Sequence, residues 1–295
     1  MTAAEKGILM LCCRLGDEDA VTMTPKQFHG LRRRLHNWAQ PTDSGELTAE
    51  FLCGLGLPAA AAERILGLLD RQSRLDRYLE AAEQLGIHVV TRLSPVYPGV
   101  LEQRLGQSAP PVLFFKGDMR LLEGPWVSLV GSRKLEKHGR MVAERIGSLA
   151  FREGYVLVSG GAHGADQTAQ RASLDRGGRI LVFTPERLTE QPEEERVLYC
   201  SEDGFEVEFS PARALNRNRL IHALGEKTFV AQCGFERGGT WRGSIENLKN
   251  GYSPLYVMSD GSAGMEGLLR AGAREVFELE SIHDLREDQL SFTHD

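Results

Sequence analysis

Three short apolar runs, separated by helical segments, place the strongest constraint on how this 295-residue chain can fold. The runs cover residues 127–130, 155–158 and 180–183, and each is rich in β-forming residues and about one strand long. Between them, apolar residues recur at the spacing of an α-helix. Strand, helix, strand, helix and strand joined by short links predict a parallel sheet covered by helices.

Glycine bounds both helical segments. The first carries Val142, Ile146 and Leu149 at spacings of four and three, and it is predicted to end at Gly154. The second is predicted to end at Gly177. Glycine is the residue that most readily takes the positive φ of a helix C-cap, so these positions support the limits of both helices.

Two glycine-rich loops follow the first two predicted strands. One is Gly-Ser-Arg-Lys at 131–134, and the other is Ser-Gly-Gly-Ala-His-Gly-Ala-Asp at 159–166. Both lie at the carboxyl edge of a parallel sheet, where such folds bind ligands and helix N-termini favour anions. Arg133 adds a planar grip for phosphate, so the loops predict a phosphate-bearing ligand; the alternative is that the glycines only form tight turns. The spacing is not G-x-G-x-x-G, which disfavours a dinucleotide, and no cofactor is predicted.

The order of these motifs resembles the DNA-processing protein A family (DprA, also called Smf). The Gly-Ser-Arg turn, residues 158–166 and residues 216–221 are similar to the family's G-S-R turn, V-S-G-x-A-x-G-I-D loop and late R-N-R-I-I segment. Tyr97-Pro98 and the Pro-Pro segment at 110–111 resemble motifs that precede the G-S-R turn in the family. The resemblance covers about residues 85–260, which is most of the chain.

This resemblance implies an α/β fold: an extended Rossmann-like, mostly parallel sheet with helices on both faces, preceded by a small N-terminal helical domain. It also implies a protein that binds single-stranded DNA without catalysing a reaction on it, loads the recombinase RecA during DNA uptake, and forms a homodimer. We therefore predict no catalytic and no metal-binding residue. The residues predicted to bind DNA or phosphate are Gly131, Ser132, Arg133, Lys134, Gly160, Gly161, His163, Gly164, Asn216, Arg217, Asn218, Arg219, Gly239, Thr240 and Trp241.

Three of these assignments have a competing structural explanation. Arg219 is equally explained as a surface charge of a helix for which Asn218 is the N-cap. Trp241 either stacks on a base or covers the edge of the sheet. His163 stands where family members commonly carry Arg, and we interpret it as a ligand contact or a pH-sensitive substitute, since no Ser or Cys nucleophile accompanies it.

Beyond residue 183 the sequence departs from the family pattern. Residues 184–192 lack the usual glycines, and the acidic run at 193–195 would repel a DNA backbone. The alternative function is a nucleotide sensor or a nucleotide-cleaving enzyme on the same pocket, with Asp166 and Glu246 as candidate carboxylates. Gly243, however, stands where the P-G-G-x-G-T-x-x-E signature of nucleotide-cleaving relatives has its Glu. A diverged scaffold that has lost its ligand is the third possibility.

Composition limits the class of protein. The net charge of −6 argues against a generally basic nucleic-acid binder, but residues 131–145 carry five cations against two carboxylates. The five cysteines form neither a metal pattern nor a disulfide framework, which fits a reducing cytoplasm. No signal peptide or membrane-spanning segment is predicted.

The N-terminal residues 1–85 predict a small helical domain, ahead of a Rossmann-like domain at 86–280 and a C-terminal tail at 281–295. Thr24-Pro25 predicts a helix start. Residues 54–58 resemble a helix-hairpin-helix turn, whose backbone amides can bind DNA phosphate; a packing bundle is the alternative. Two further predictions are an alternating strand at 205–209 and a turn at 238–244 that precedes a helix at 245–250.

Overall fold

The computed structural model describes residues 1–37 and 47–285. The chain divides into two compact units, the first made of Met1–Phe115 with Glu202–Val207 and the second of Lys116–Ser201 with Glu208–Asp295. The predicted domain limits at residues 85 and 280 remain predictions. Most of the predicted tail, from residue 286 onward, lies outside the described residues.

Helices occupy the first part of the first unit. The helix predicted after Thr24 is confirmed: the Thr24 hydroxyl accepts a hydrogen bond from the Gln27 amide, and Pro25 is the first helical residue. The elements of this unit are α1 Ala3–Cys12, α2 Pro25–His36, α3 Ala49–Gly54, α4 Ala59–Leu69, α5 Gln72–Gln84, β1 Ile87–Thr91, α6 Gly99–Leu105 and the first four residues of β2 Val112–Gly117.

The backbone amides of the turn between α3 and α4 are hydrogen-bonded within the hairpin. The amides of Leu55, Gly56 and Leu57 donate to carbonyls of α3, at 3.1, 2.8 and 3.3 Å. Arg34 fixes the turn from outside, since its Nη1 donates to the carbonyls of Leu55 and Gly56. These three amides therefore have partners within the hairpin, an arrangement that favours packing over phosphate binding.

The second unit is built on a parallel sheet, as the alternation of strands and helices predicts. Its strands are ordered β6-β5-β4-β3-β7-β8-β9, and each neighbouring pair is parallel. The elements are β3 Trp126–Val130, α7 Lys137–Arg152, β4 Val156–Ser159, α8 Ala165–Leu174, β5 Arg179–Phe183, β6 Val197–Ser201, α9 Pro211–Asn216, α10 Asn218–Leu224, β7 Thr228–Val230, α11 Gly238–Asn250, β8 Leu255–Val257, α12 Ala263–Arg270 and β9 Arg274–Glu275.

The direction of the strand order reverses beside β3. From β3 the chain proceeds through β4, β5 and β6 on one side, and then returns to place β7 on the other side of β3. In open α/β sheets, ligands bind outside the carboxyl ends of the strands at such a switch point. This topology therefore favours a ligand site at the loops after β3, β4 and β7.

Helices cover both faces of this sheet. Val127 and Leu129 of β3 belong to the apolar core that also contains Val142 and Ile146 of α7. Ser128, between them, points to the other face because side chains alternate along a strand, and its hydroxyl donates to the carbonyl of Ile221 in α10 at 2.5 Å. The mostly parallel, Rossmann-like architecture with helices on both faces is confirmed.

Two local predictions are wrong. Residues 205–209 form no strand: Phe205 is buried and its ring stacks on Tyr78, with centroids 4.4 Å apart, so this long-range contact overrides the alternating pattern. The turn predicted at 238–244 is already helical, because α11 begins at Gly238, directly after a bridge between Gly234 and Arg237.

Candidate nucleic-acid interface

The Gly-Ser-Arg turn after β3 is held from the neighbouring strand β7. The Ser132 amide and hydroxyl both donate to the Gln232 carbonyl, at 2.9 and 3.1 Å. The Gln232 side chain accepts from the Glu136 amide at 2.8 Å, ahead of α7. Gln232 therefore fixes both ends of the turn. Sequence reasoning missed this residue; its place at the end of the strand that pairs with β3 was the available signal.

Tight packing explains the first glycine of this turn. A Cβ atom on Gly131 would overlap the Ala165 methyl group at the start of α8. Gly164, with φ of +90°, in turn packs against the carbonyls of Ser132 and Arg133. The two predicted loops are thus brought into direct contact, and Arg133 and His163 extend from them into solvent as exposed side chains.

A buried carboxylate holds the loop after β4. Asp166 is only 6% exposed, and one of its oxygens accepts the amides of Gly160 and Ala162, each at 3.1 Å. The Gly160 amide is therefore directed inward rather than toward a ligand. Among the described residues, no hydrogen-bond acceptor meets the amides of Gly161 and His163, so these two stay available.

Arg217 lies beneath the same loop. It is 8% exposed, its Nη1 donates to the Phe183 carbonyl at 2.7 Å, and its guanidinium fills the space a side chain at Gly160 would need. Burial raises the pKa of the Asp166 carboxyl, while the positive charge of Arg217 acts in the opposite direction. Burial likewise lowers the pKa of Arg217, against the attraction of Asp166. Arg217 therefore supports the loop from inside, at the ends of β4 and β5.

The other residues of the Arg-Asn-Arg segment join helices. Asn216 is the last residue of α9, and its carbonyl accepts from Nη1 of Arg219 at 3.3 Å. Asn218 does not cap a helix: it is the first residue of α10, and its side-chain amide donates to the Gly239 carbonyl at 3.3 Å. This contact positions the start of α11 beside α10.

Close packing of α10 on α11 explains Gly243. A Cβ atom at this position would lie 3.2 Å from both Nε2 of His222 and Cβ of Asn218. His222 is fully buried, and burial lowers its pKa to about 3. Neither ring nitrogen has a hydrogen-bond partner within the described ranges, so His222 is a neutral packing residue.

The remaining predicted residues lie in the first turn of α11. Gly239, Thr240 and Trp241 are half-buried. The Trp241 ring meets the Phe235 ring edge to face, with centroids 5.1 Å apart, and packs against Gly267 of α12. This environment favours the structural explanation of Trp241 over base stacking.

An open cavity of about 730 Å³ begins at the two loops. It is basic, and its lining side chains are exposed where they are charged. In the structure as described, Arg133, Lys134, Arg140 and Arg171 form no ion pair. The lining residues are Arg133, Lys134, Leu135, Arg140, Glu144, His163, Gly164, Gln167, Thr168, Arg171, Ala172, Asp175 and Arg176.

The two carboxylates considered for nucleotide chemistry have structural partners. Asp166 is buried beneath its loop and accepts two of its amides. Glu246 accepts a hydrogen bond from the Tyr252 hydroxyl at 3.2 Å. In residues 1–37 and 47–285, no three His, Cys, Asp or Glu side chains come together as a metal site. Over the same ranges no helix combines the length and apolar character needed to cross a membrane.

The family model for DNA recombination-mediator protein A matches residues 88–287. The chain belongs to this family. Similar proteins include DNA processing protein DprA of Bacillus subtilis, 29% identical over 237 residues that cover 75% of this chain and 78% of the relative. DprA of Streptococcus pneumoniae is 30% identical over 182 residues, which cover 57% of this chain and 64% of the relative.

Solved structures have the same fold. DNA processing protein A from Streptococcus pneumoniae superimposes with a TM-score of 0.72 at 22% identity, over 94% of this chain and 95% of that one. DNA processing protein A from Helicobacter pylori, described for its single-stranded DNA binding mode, gives 0.55 at 23% identity, over 65% of this chain and 91% of that one. The expected family and fold are both confirmed.

Proposed function

We propose that this protein binds single-stranded DNA at the basic cavity beside the loops after β3 and β4, and acts without catalysis in DNA uptake and recombination. The observation that carries the proposal is a group of four cations on one cavity, in a chain of net charge −6, that form no ion pair with any residue the structure describes. Phosphate is the ligand class that such a group attracts, and contacts to the backbone supply most of the affinity of nonspecific binders. The family and the DNA-binding mode described for the Helicobacter protein support the same ligand.

In this proposal the predicted site residues have two roles. Arg133, Lys134 and His163 contact phosphates directly, together with the available amides of Gly161 and His163. Arg217, Asn218 and the glycines hold the loops in the geometry that this contact needs. The cavity thus owes its charge to exposed side chains and its shape to buried ones.

The proposal extends to the partners that the resemblance implies. The bound strand would be handed to the recombinase RecA by a homodimer of this chain. Cys12, Cys13, Cys53 and Cys233 are free thiols, which suits a reducing cytoplasm. Size-exclusion chromatography with light scattering, followed by RecA-filament assembly on coated single strands, tests these two partners separately.

Fluorescence anisotropy with a labelled oligothymidine tests the DNA ligand. The wild-type protein should bind more weakly as salt rises, with a log–log slope of about −0.7 for each phosphate contacted. Arg133→Ala should weaken binding at low salt to every sequence alike and reduce that slope by about 0.7. Arg270→Ala, which removes an exposed arginine from the last turn of α12, is the matched control and should behave as wild type.

Two results would overturn the proposal. Absence of binding at low salt rejects DNA as the ligand, and a loss confined to one base sequence rejects backbone recognition. The cavity volume of about 730 Å³ also suits a small nucleotide, since such pockets commonly span about 300–1,000 Å³. A thermal-shift screen of nucleotides is therefore the next measurement if DNA fails to bind.

A further inference from the structure

The basic cavity does not stop at the two loops. Along α8 its lining residues recur every three or four positions, from Gly164 through Gln167, Thr168 and Arg171 to Asp175. This spacing defines one continuous face of a helix. Since α8 has 10 residues, at a rise of 1.5 Å each, the lined face is about 15 Å long. It leads away from the carboxyl edge of the sheet.

Helix α7 forms the other wall of this groove. Arg140 and Glu144 lie one turn apart on it and both line the cavity. The two helices pack closely, because Gly147 of α7 contacts the Ala169 carbonyl of α8 and leaves no room for a side chain. The groove between their outer surfaces is therefore flanked by fixed walls. The part of the groove farthest from the sheet edge is lined by residues of α7 and by the C-terminal end of α8, not by the two loops.

The arginines of this groove are not neutralised by their neighbours. Glu144 follows Arg140 by four residues within α7, and Asp175, the C-cap residue of α8, follows Arg171 by four. Neither pair forms an ion pair in the described structure. The acid follows the base in both pairs, which is the less favourable order for such pairs along a helix. Arg176 differs, because its Nη1 donates to the Ala172 carbonyl at 2.9 Å.

We propose that the groove between α7 and α8 is a second segment of the nucleic-acid path, in which Arg140 and Arg171 bind the sugar–phosphate backbone of a single strand that leaves the loops. This inference rests on the proposed function. Gln167 and Thr168 line the cavity about one turn before Arg171 on α8. Their side chains add hydrogen bonds that any base sequence can satisfy. The groove lengthens the binding site rather than adding sequence selectivity.

A length series separates this path from the loop site. Anisotropy would be measured with oligothymidines of about 6 and about 16 nucleotides, the range that small single-strand binding folds cover. The variants are the double mutant Arg140→Ala/Arg171→Ala and a matched double mutant, Lys249→Ala/Arg270→Ala. The matched pair removes the same charge from exposed positions in the last turns of α11 and α12.

The groove variant should bind the short oligonucleotide as the control does. For the long one, its salt slope should be smaller than that of the control by about 1.4, which corresponds to two lost phosphate contacts. Equal slopes for both variants on the long oligonucleotide would overturn the path. An equal loss on both lengths would also overturn it, since the arginines would then belong to the loop site.

The proposed function fails in a different way. If the wild-type protein shows no salt-dependent binding at either length, the DNA ligand is wrong and the path falls with it. If Arg133→Ala weakens both lengths while the groove variant matches its control, the DNA ligand stands and only the path is wrong. Circular dichroism of both double mutants should match that of the wild type, because all four substituted side chains are exposed.

Discussion

Two arginines of the motif-bearing loops occupy opposite environments. Arg217 is buried beneath the loop after β4, where it donates to the Phe183 carbonyl. Its positive charge is attracted by the carboxylate of Asp166. Arg133 is exposed on the cavity and forms no ion pair with any described residue. Both belong to motifs that resemble those of one DNA-binding family. The comparison shows that the residue type in a motif does not distinguish a side chain buried in support of a loop from one exposed on the cavity.

The same division runs through the whole site. Asp166, Gln232 and Asn218 each accept from or donate to the backbone of a loop or helix start, and so fix its course. Within the described residues, Arg133, Lys134, Arg140 and Arg171 form no ion pair that would fix them in this way. A buried group of this kind should change stability when it is replaced, whereas an exposed one should change affinity only. Substitutions at Arg217, Arg133, His222 and Trp241 test the two sides of this division.

The largest effect is expected from Arg217→Met. Methionine keeps much of the side-chain volume. It removes the hydrogen bond to the Phe183 carbonyl and the positive charge that favours the ionised form of Asp166. Leaving a buried polar group without its partner typically costs about 1–3 kcal/mol, and more when the group is charged, so the free energy of unfolding should fall by about 3 kcal/mol. Urea denaturation measures it.

Arg133→Met provides the comparison for this experiment. Its side chain is exposed, so its unfolding free energy should stay within about 0.5 kcal/mol of the wild type. If the two variants were equally stable, Arg217 would not be supporting the loop, and the division between the two arginines would be wrong.

A pH-dependent difference is expected from His222→Leu. The pKa of His222 is lowered from 6.5 to about 3 by burial, so below pH 6.5 the unfolded state binds a proton that the folded state excludes. The stability contributed by the neutral ring is present above pH 6.5 and is lost as the pH falls toward 3, by about 1.4 kcal/mol per pH unit. The leucine variant lacks this loss.

Urea denaturation near pH 7.5 and pH 5 measures the effect. Between these values the wild type should lose about 2 kcal/mol more than His222→Leu. The exposed His283 provides the control, because His283→Leu should retain the wild-type pH dependence. Parallel losses in the wild type and in His222→Leu would show that the buried ring takes up a proton in the folded state.

The strands and the two loops were predictable because their signals are local. Apolar runs, helical spacing and terminal glycines are properties of short windows, and they located β3 to β5 and the helices between them. The start of α11 was not predictable in this way, because Gly238, Gly239 and Gly243 fall in its first two turns and glycine is a poor helix former. Phe205 stacks on Tyr78, which is more than a hundred residues away in the sequence. The alternation of apolar and polar residues at 205–209 cannot reveal such a long-range contact.

The roles of the site residues depended even more on tertiary packing. Arg217 and Arg219 stand in one Arg-Asn-Arg segment, and only the fold buries the first and leaves the second half-buried. The sequence does not identify Gln232 as a site residue, because a single glutamine after a short strand belongs to no recognisable motif. The order of strands and helices predicted which loops lie side by side. The hydrogen bonds that hold these loops depend on tertiary packing, which the sequence pattern does not reveal.

The smallest effect on DNA binding is expected from Trp241→Ala. A base stacked on an aromatic ring is worth about 1–3 kcal/mol, which would weaken binding by roughly fivefold to more than a hundredfold when the ring is lost. Trp241 instead packs its ring against Phe235 and Gly267, so its removal should change affinity for oligothymidine by less than about twofold. Stability should fall, because the ring leaves a gap against α12. Anisotropy and urea denaturation of the same preparation measure both quantities. A loss of affinity without a loss of stability would show that Trp241 acts in DNA binding and not in packing. The proposed DNA path would then extend across the switch point to α11.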